Sequence, residues 1–410
     1  MTPIPPKLPI PPSLRGAEIG TWTHHSIAGR LPDILRRVLA ENEFSAAIVQ
    51  RLERLSKEIP YGPIRLLRST SAPDAAEWEQ YTTPYLGQNW LEVPWFFVET
   101  YFYRRILEAT GYFGPGDGQG VDPYAYQKHL GLESTRLGIQ ALSTQLNEAL
   151  TQKKAARESF IRLLTIDLWG NKADLSLWPA DEEMDSEGLT NVQQQQAHVL
   201  ANDAPAVADH LASLGSQTTR VDFIVDNAGF ELVCDLCLAD FLLSSQMAQN
   251  VHLQLKLHPT FVSDATIKDV EHTMAFLANE TDPDVRALAA RLSHHLDQKR
   301  LFLRTDPYWT SSLSFWEVPN PLRQELAQSN LLISKGDANY RRLLGDRHWP
   351  FTTPFADIMN YTPAPLVALR TQKAEIAAGL QPGQAEAVAQ QDPNWLINGQ
   401  WGVIQFVKPA

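Results

Sequence analysis

The sequence predicts an α/β protein in which a mainly parallel sheet is flanked by helices in a Rossmann-like three-layer arrangement, with an all-helical lobe at the N-terminus. From about residue 221 onwards, short apolar segments rich in β-branched residues alternate with longer segments of helical spacing. That alternation is typical of a parallel sheet covered by helices. Between about residues 30 and 160, apolar residues recur three and four positions apart, which predicts helices. We therefore expect a proline-rich arm at 1–16, a helical lobe at 17–160 and an α/β catalytic domain at 161–410.

The N-terminal part justifies its helical assignment segment by segment. Residues 1–16 contain six prolines and predict an extended arm that is ordered only where it packs on the body. Residues 32–44 and 158–164 carry helical apolar spacing. Residues 91–112 are so rich in aromatic side chains that they predict a buried helix.

The C-terminal part predicts strands and helices in alternation. The first strand is expected at TIDLWG (165–170), where it runs into a loop. Further strands are predicted at 221–226, 251–257, 301–305, 330–336, 364–371 and 401–407. Helices are predicted at 229–248, 264–279, 321–329, 340–345 and 372–380.

Composition and charge exclude several classes of function. The chain has 410 residues and a net charge of −12, which argues against a nucleic-acid partner because such binding needs a basic face. Two cysteines do not form a disulfide framework, and no uncharged apolar run is long enough for a membrane span. No signal-peptide pattern is visible, so we expect a cytoplasmic protein without a membrane partner. No residue pattern assigns an oligomeric state.

Candidate metal ligands follow two of the predicted strands. In an open α/β sheet, ligands bind beyond the carboxyl ends of the strands. Asp226 and Asn227 follow one strand, and Asp264 lies in the loop after the next. Carboxylate and amide oxygens suit a hard divalent cation. The alternative is that Asp226 caps the following helix while Asn227 makes the turn.

Further polar residues follow the same pattern and are candidates for substrate binding. Asn171 comes after the expected strand at 165–170. Glu231 lies four residues after Asn227, on the same side if the helix has begun, and would orient a ligand, contact sugar hydroxyls or act as a base. Its alternative role is that of an acid favoured by the helix dipole.

Cationic groups are expected at the ends of the later strands. Lys335 and Arg341 offer charge for a phosphate, and the alternative is a solvated loop. Arg370 and Lys373 lie where a strand is expected to turn into a helix, whose N-terminus would favour an anion. The alternative there is a surface basic pair.

Common catalytic signatures do not account for the chain. Cys234 and Cys237 form a C-x-x-C inside an apolar helix, with no second pair, so we interpret them as buried structural thiols. The glycine-rich stretch at 114–120 is neither a dinucleotide fingerprint nor a P-loop. No G-x-S-x-G supports a hydrolase serine.

Five segments carry a resemblance to a known family: LTIDLWGNKADLSL, FIVDNAGFELVCDLCLADFLL, HPTFVSDATIKDV, ISKGDANYRRLLGDRHWP and ALRTQKAE. In this order they resemble the metal-dependent damage-control phosphatases of the carbohydrate-phosphate branch, also described as acidic-residue (glutamyl) methyltransferases. The resemblance runs over nearly the whole chain, and 90–107 resembles the family's helical lobe. The branch hallmark, Arg-Thr-x-Lys, matches Arg370, Thr371 and Lys373.

The resemblance implies roles for individual residues. The family's metal pair falls on Asp226 and Asn227, and its third metal aspartate on Asp264. Its terminal lysine falls on Lys373. The family's substrate loop falls on four residues of this chain: Asp337, Asn339, Tyr340 and Arg341.

Two positions depart from the family's pattern. Ala338 stands where a larger apolar residue such as leucine is frequent, with little expected effect. Thr260 stands where an aromatic residue commonly follows the proline, which alters the pocket wall but leaves the assignment of Asp264 intact.

The expected activity is hydrolysis of sugar phosphates such as fructose 1-phosphate or fructose 6-phosphate with a divalent cation (Mn, Ni, Co or Mg). The cation would neutralise phosphate charge, and Lys373 and Arg341 would bind the remaining phosphate oxygens. The attacking group is either water or Asp226, and we favour water because a metal-bound carboxylate is a poorer nucleophile. The alternatives are an S-adenosylmethionine-dependent methyltransferase acting on protein carboxylates, and a non-catalytic sugar-phosphate sensor.

Overall fold

The computed structural model describes residues 3–68, 72–151, 156–170, 197–215 and 218–409. At its centre is one sheet of seven strands in the order β1-β7-β6-β5-β2-β3-β4. All neighbouring strands pair in parallel except β6 and β7, which are antiparallel. The strands are β1 (Val199–Asn202), β2 (Arg220–Ile224), β3 (Asn250–Leu255), β4 (Leu301–Thr305), β5 (Leu331–Lys335), β6 (Leu366–Thr371) and β7 (Gly402–Val407).

The sheet reverses its direction of growth between β2 and β5. After β2 the chain adds β3 and β4 on one side, and it then returns to add β5 and β6 on the other. A crevice forms at such a switch point, because the connections on its two sides leave in opposite directions. The loop after β2 and the start of the helix that follows β5 therefore meet there.

Helices precede the sheet in the N-terminal part of the chain. They are α1 (Trp22–His25), α2 (Leu31–Glu41), α3 (Ala46–Glu58), α4 (Ala75–Thr82), α5 (Trp95–Thr110), α6 (Ala125–Glu133), α7 (Arg136–Thr151) and α8 (Ala156–Leu168), with a π-helical turn at Ser26–Arg30. The predicted aromatic helix is confirmed as α5, in which every residue except Glu108 is buried. It ends at Gly111, whose φ of 80° is a left-handed conformation that glycine adopts without strain.

The remaining helices follow the strands. They are α9 (Ala204–Ser213), α10 (Phe230–Ser244), α11 (Ile267–Asn279), α12 (Pro283–Asp297), α13 (Asn320–Leu326), α14 (Gly336–Leu344), α15 (Phe355–Ile358) and α16 (Gln384–Gln391). Helix α10 is buried except for its last serine, and it contains Cys234 and Cys237 as buried free thiols. No helix in the described parts of the chain is long and apolar enough to cross a bilayer.

Two apolar cores lie on the two faces of the sheet. Successive residues of β5 alternate between them: Leu331 and Ile333 join the core formed with α7, α8 and α10, whereas Leu332 joins the core formed with α2, α3 and α5. This alternation follows from the two-residue repeat of a strand, and it confirms the three-layer α/β architecture. The N-terminal helices are thus divided between the two faces of the sheet, with α2, α3 and α5 on one face and α7 and α8 on the other.

The arm of residues 3–16 packs against the body through main-chain bonds. The amide of Ile4 donates to the carbonyl of Trp316 at 3.0 Å, and the amide of Trp95 donates to the carbonyl of Leu14 at 2.9 Å. Leu14 is buried. The arm therefore contacts both the start of α5 and a segment between β4 and α13.

Two predicted elements are wrong. The stretch predicted as a strand at 165–170 is the end of helix α8, in which Phe160, Leu164 and Asp167 are buried at helical spacing. The predicted helix at 372–380 does not form. There, the guanidinium of Arg370 donates hydrogen bonds to the carbonyls of Ala374 and Ile376, which a helix would use internally. Strand β1 and helices α9, α12, α15 and α16 were not predicted.

Candidate functional site

The loops after β2 and β3 are joined by their main chains. Asn227 and Asp264 form an isolated antiparallel bridge. The amide of Ala265 donates to the carbonyl of Asp226, and that of Ala228 donates to the carbonyl of Ser263, each at 2.7 Å. These bonds fix Asp226, Asn227 and Asp264 side by side before any ligand binds. The cap of α10 is Gly229, without a side-chain capping bond, so Asp226 does not act as its N-cap.

The amide of Asn227 links the side chains of this group. Asn227 Nδ2 donates to Asp226 Oδ2 at 2.9 Å and to Glu231 Oε2 at 2.8 Å, and the hydroxyl of Ser263 donates to Asn227 Oδ1. Asp226 Oδ1 is buried and has no hydrogen-bond partner among the described residues. A buried unpaired carboxylate oxygen is costly unless a cation or donor meets it.

The electrostatics of the group indicate a shortage of positive charge. Burial, and then the neighbouring carboxylates of Asp264 and Glu231, raise the pKa of Asp226 well above its usual value. Burial also raises the pKa of Asp264, although Lys256 Nζ lies 3.0 Å from Asp264 Oδ2. A divalent cation between the carboxylates would remove this repulsion.

Gly336 brings the start of α14 directly onto Asp226. Its φ is +80°, and a Cβ atom at this position would lie 1.8 Å from Asp226 Oδ2. Only a residue without a side chain allows such an approach. The start of α14 therefore lies directly against the carboxylate of Asp226 at the switch point.

Lys335 is not a free cation. Its side chain is 1% exposed, and its ammonium donates to Asp167 and, at 2.8 Å, to Asp235 Oδ1, with Glu231 Oε1 at 3.8 Å. Burial alone would lower the pKa of Lys335, but the attraction of these carboxylates raises it well above the usual value. Lys335 thus ties α8, α10 and β5 together beneath the site, which rejects the alternative of a solvated loop.

Arg370 is buried and holds neighbouring parts of the chain in place through hydrogen bonds. Its Nε donates to Asp337 Oδ1 at 2.8 Å, and its guanidinium lies 4.4 Å from the ring centroid of Tyr340. The amide of Lys373 also donates to Asp337 Oδ1, at 3.3 Å, while the side chain of Lys373 is exposed. The pair is therefore not a surface basic pair, and the expected helix N-terminus is absent because no helix starts at residue 372.

Asn339 and Tyr340 lie behind the site. Asn339 Nδ2 donates to the carbonyl of Lys335 at 2.9 Å, and lies 3.3 Å from the carbonyls of Ile224 and Val225. The hydroxyl of Tyr340 donates to Gln405 Oε1 at 2.8 Å. Both side chains are buried, and they link α14 to β2 and β7.

Arg341 forms a wall of the site together with α5. It donates to Glu99 and, at 2.7 Å, to Asp346 Oδ1, and its guanidinium lies 3.6 Å from the ring centroid of Trp95. Its Nη2 has no hydrogen-bond partner within the described residues. Glu99 also pairs with Arg30 at 3.2 Å. This network joins the N-terminal helices to α14.

These groups surround a cavity of about 300 Å³. Of the predicted site residues, the cavity is lined by Asp226, Asn227, Glu231, Asp264, Lys335, Asp337, Arg341 and Lys373. Asn339, Tyr340 and Arg370 do not line it, and Asn171 lies outside the described residues. Within those residues, no three His, Cys, Asp or Glu side chains are arranged to hold a metal ion.

The sequence did not point to several residues that line the cavity. These are Trp22, Arg30, Trp95, Glu99, Phe261 and Asn398. A signal exists for one pair: Trp95 and Glu99 lie four residues apart, on one side of α5, and a carboxylate inside an aromatic helix needs a buried partner. For the others the sequence gives no comparable signal.

The fold and the site define an α/β protein with an acidic, oxygen-rich cavity at the switch point of its sheet. The chain belongs to the damage-control phosphatase ARMT1-like family, whose model matches residues 26–388. It is 34% identical to damage-control phosphatase ARMT1 of Danio rerio, covering 97% of both chains. It is 32% identical to that of Homo sapiens, covering 98% of this chain and 99% of that one.

A comparison with solved structures gives a weaker similarity. A solved DUF89 family protein from Pyrococcus horikoshii shares 12% sequence identity, with a TM-score of 0.44, over 87% of this chain and 95% of that one.

Proposed function

We propose that this chain hydrolyses sugar phosphomonoesters, such as fructose 1-phosphate or fructose 6-phosphate, with a divalent cation. The observation that supports this most is the convergence of Asp226, Asn227 and Asp264 beside the exposed ammonium of Lys373, in a chain of a phosphatase family. In our proposal these oxygens hold the metal and the ammonium of Lys373 binds the phosphate.

The residues present fit a divalent cation. Two carboxylates and one amide oxygen form a hard-ligand set suited to Mn, Mg, Co or Ni, and Asp226 Oδ1 is buried without a partner in the described residues. When bound, the cation would supply charge neutralisation for the phosphate. Ser263 holds the Asn227 amide through its oxygen, and Lys256 holds Asp264.

The other residues divide between binding and support. Lys373 binds phosphate oxygens with its exposed ammonium, and Arg341, which also lines the cavity and whose buried Nη2 has no partner among the described residues, is the second phosphate donor of the proposal. Asp337 and Glu231 accept hydrogen bonds from sugar hydroxyls. Lys335 and Arg370 act in our proposal as positioning residues, because buried partners already occupy their charges.

The attacking group in this proposal is water. A carboxylate engaged with a cation is a poorer nucleophile, and the amide of Asn227 already occupies Asp226 Oδ2. Rapid-quench trapping of the enzyme with substrate tests this choice. An acid-stable phosphoryl group on Asp226 would replace water with Asp226 as the nucleophile.

The central experiment measures phosphate release from a panel of sugar phosphates, with EDTA and with Mn, Ni, Co or Mg added back. We expect metal-restored activity that falls at least about a thousandfold in Asp226→Asn and Asp264→Asn. Asp33→Asn is the matched control, because Asp33 is exposed on α2. Metal-independent activity, or full activity in both site variants, contradicts the proposal.

The same preparations separate the two other candidate functions. Transfer of a labelled methyl group from S-adenosylmethionine to protein carboxylates, without phosphate release, would favour a methyltransferase. Binding of fructose 1-phosphate without turnover, and without dependence on metal, would favour a sensor.

A further inference from the structure

A second cavity, of about 250 Å³, lies between α3, the segment at 64–68 and the end of α5. We call it the arginine pocket. Its lining contains five arginines and two glutamates: Arg51, Arg54, Arg65, Arg68, Arg105, Glu58 and Glu108, with Leu55 and Ala109. A cluster with three excess positive charges stands out in a chain whose net charge is −12.

The two glutamates compensate only two of the arginines. Arg65 Nη2 lies 2.6 Å from Glu108 Oε2, and Arg105 Nη2 lies 2.6 Å from Glu58 Oε2. The Arg105 side chain is 2% exposed, and its Nη1 donates to the hydroxyl of Tyr101 at 2.8 Å. These pairs form a rigid floor that holds the base of the pocket in place.

The other three arginines have no carboxylate partner in the described ion pairs. Arg51 Nε donates to the carbonyl of Ala109 at 2.6 Å, and Arg54 Nε donates to the carbonyl of Gln50 at 3.2 Å. Arg54 and Arg68 are exposed. Each carbonyl accepts from only one N–H group of a guanidinium, so the other N–H groups of Arg51 and Arg54 remain available to a ligand. Three like charges around one cavity repel one another unless an anion lies between them.

The pocket is separate from the proposed active site. Ala109, in the pocket, and Glu99, in the wall of the active cavity, lie ten residues apart on α5, which is about 15 Å along the helix. The two cavities share no lining residue. A ligand in the arginine pocket would therefore bind independently of the cluster formed by Asp226, Asn227 and Asp264.

We propose that the arginine pocket binds a small ligand with a diphosphate group. Guanidinium forks match phosphate oxygens in pairs, whereas an ammonium acts as a point charge, and all five cations here are arginine. Three uncompensated charges match two linked phosphates better than a single carboxylate. Free pyrophosphate and a nucleoside diphosphate share this chemistry.

The test is calorimetric titration of the full-length protein, in EDTA, with pyrophosphate and separately with ADP. We expect one site whose affinity falls as salt is raised. Tighter binding of ADP than of pyrophosphate would identify a nucleotide as the ligand, and equal or weaker binding would identify the diphosphate alone. Inorganic phosphate should bind more weakly than pyrophosphate.

The decisive variant is Arg54→Gln with Arg68→Gln, because neither side chain forms an ion pair with the glutamates of the floor. We expect affinity to fall at least about tenfold with thermal unfolding and phosphate release unchanged. The matched control is Arg36→Gln with Arg37→Gln, whose side chains are 73% and 54% exposed on α2 and which should bind like the wild type. Absence of binding at millimolar pyrophosphate, unchanged affinity in the pocket variant, or an equal loss in the control overturns the proposal. If the pocket variant proves unstable, the wild-type protein can be treated with phenylglyoxal, which modifies arginines. Loss of binding, with protection by pyrophosphate, supports the site, and modification without loss of binding refutes it.

Discussion

Replacing Gly336 with alanine should disable the site without unfolding the protein. The new Cβ atom would lie 1.8 Å from Asp226 Oδ2, whereas ordinary contacts begin at 3.4 Å. The two groups must therefore separate by about 1.6 Å, and a misplacement of about 1 Å in a catalytic group costs on the order of a hundredfold in rate. We expect a loss of at least about a hundredfold in kcat/KM.

The backbone contributes a second, smaller effect. Gly336 has a φ of +80°, and a left-handed conformation costs a residue with a Cβ atom about 1–2 kcal/mol. Gly383→Ala isolates this effect, because Gly383 has a φ of +78° but a Cβ atom added there would have no neighbour within 4 Å. Both variants should lose similar stability from the backbone, and only Gly336→Ala should lose activity and metal affinity.

The assay combines steady-state phosphate release, metal titration by calorimetry and thermal unfolding. Activity of Gly336→Ala within threefold of the wild type would refute the close approach of α14 to Asp226. An equal loss of activity in Gly383→Ala would attribute the effect to backbone strain, and would refute the steric argument.

Two further changes have outcomes that the structure determines. Arg370→Lys keeps the charge but loses the guanidinium that donates to the carbonyls of Ala374 and Ile376. Urea unfolding should therefore show a free energy of unfolding lower by about 2–3 kcal/mol. A decrease below about 0.5 kcal/mol would contradict the supporting role of Arg370. Burial alone would raise the pKa of Asp74, but His258 and Arg104 outweigh it and lower this pKa well below its usual value. Asp74 therefore stabilises the fold above its unfolded pKa of about 3.9, and this contribution is lost as the pH falls toward the folded value. Urea unfolding of Asp74→Asn should show a deficit against the wild type at pH 7 that shrinks by pH 3, and a deficit independent of pH would contradict the assignment.

Local sequence patterns were sufficient to predict most strands and to predict that Asp226, Asn227 and Asp264 lie close together. The strands predicted at 301–305 and 401–407 match β4 and β7 to within one residue, because β-branched and aromatic residues in short apolar runs are seldom helical. The positions of Asp226, Asn227 and Asp264 followed from strand ends, and parallel neighbours bring such ends to one edge of the sheet.

The missed features depend on contacts between distant segments. The residues around Asp167 predict a strand in isolation, but its partner Lys335 lies 168 residues away, and that buried ion pair fits a helical α8. Arg370 resembles a substrate ligand because it precedes a lysine at a strand end. Only the fold shows that Asp337 and two main-chain carbonyls already occupy its donors. The contribution of Arg30 to the cavity likewise depends on Glu99 in another helix.

The ammonium of Lys256 is a permanent counterion for the carboxylates of Asp226 and Asp264. Its ammonium lies 3.0 Å from Asp264 Oδ2 and donates to the carbonyl of Val225 at 2.9 Å, so part of the negative charge is balanced by the chain itself. A protein built in this way should survive chelation as a folded molecule and regain activity when metal is returned, unlike small domains in which the metal supplies the folding energy. In practical terms, the protein should be storable in EDTA and reloaded with different metals. The cations can then be compared on the same folded protein, without a refolding step.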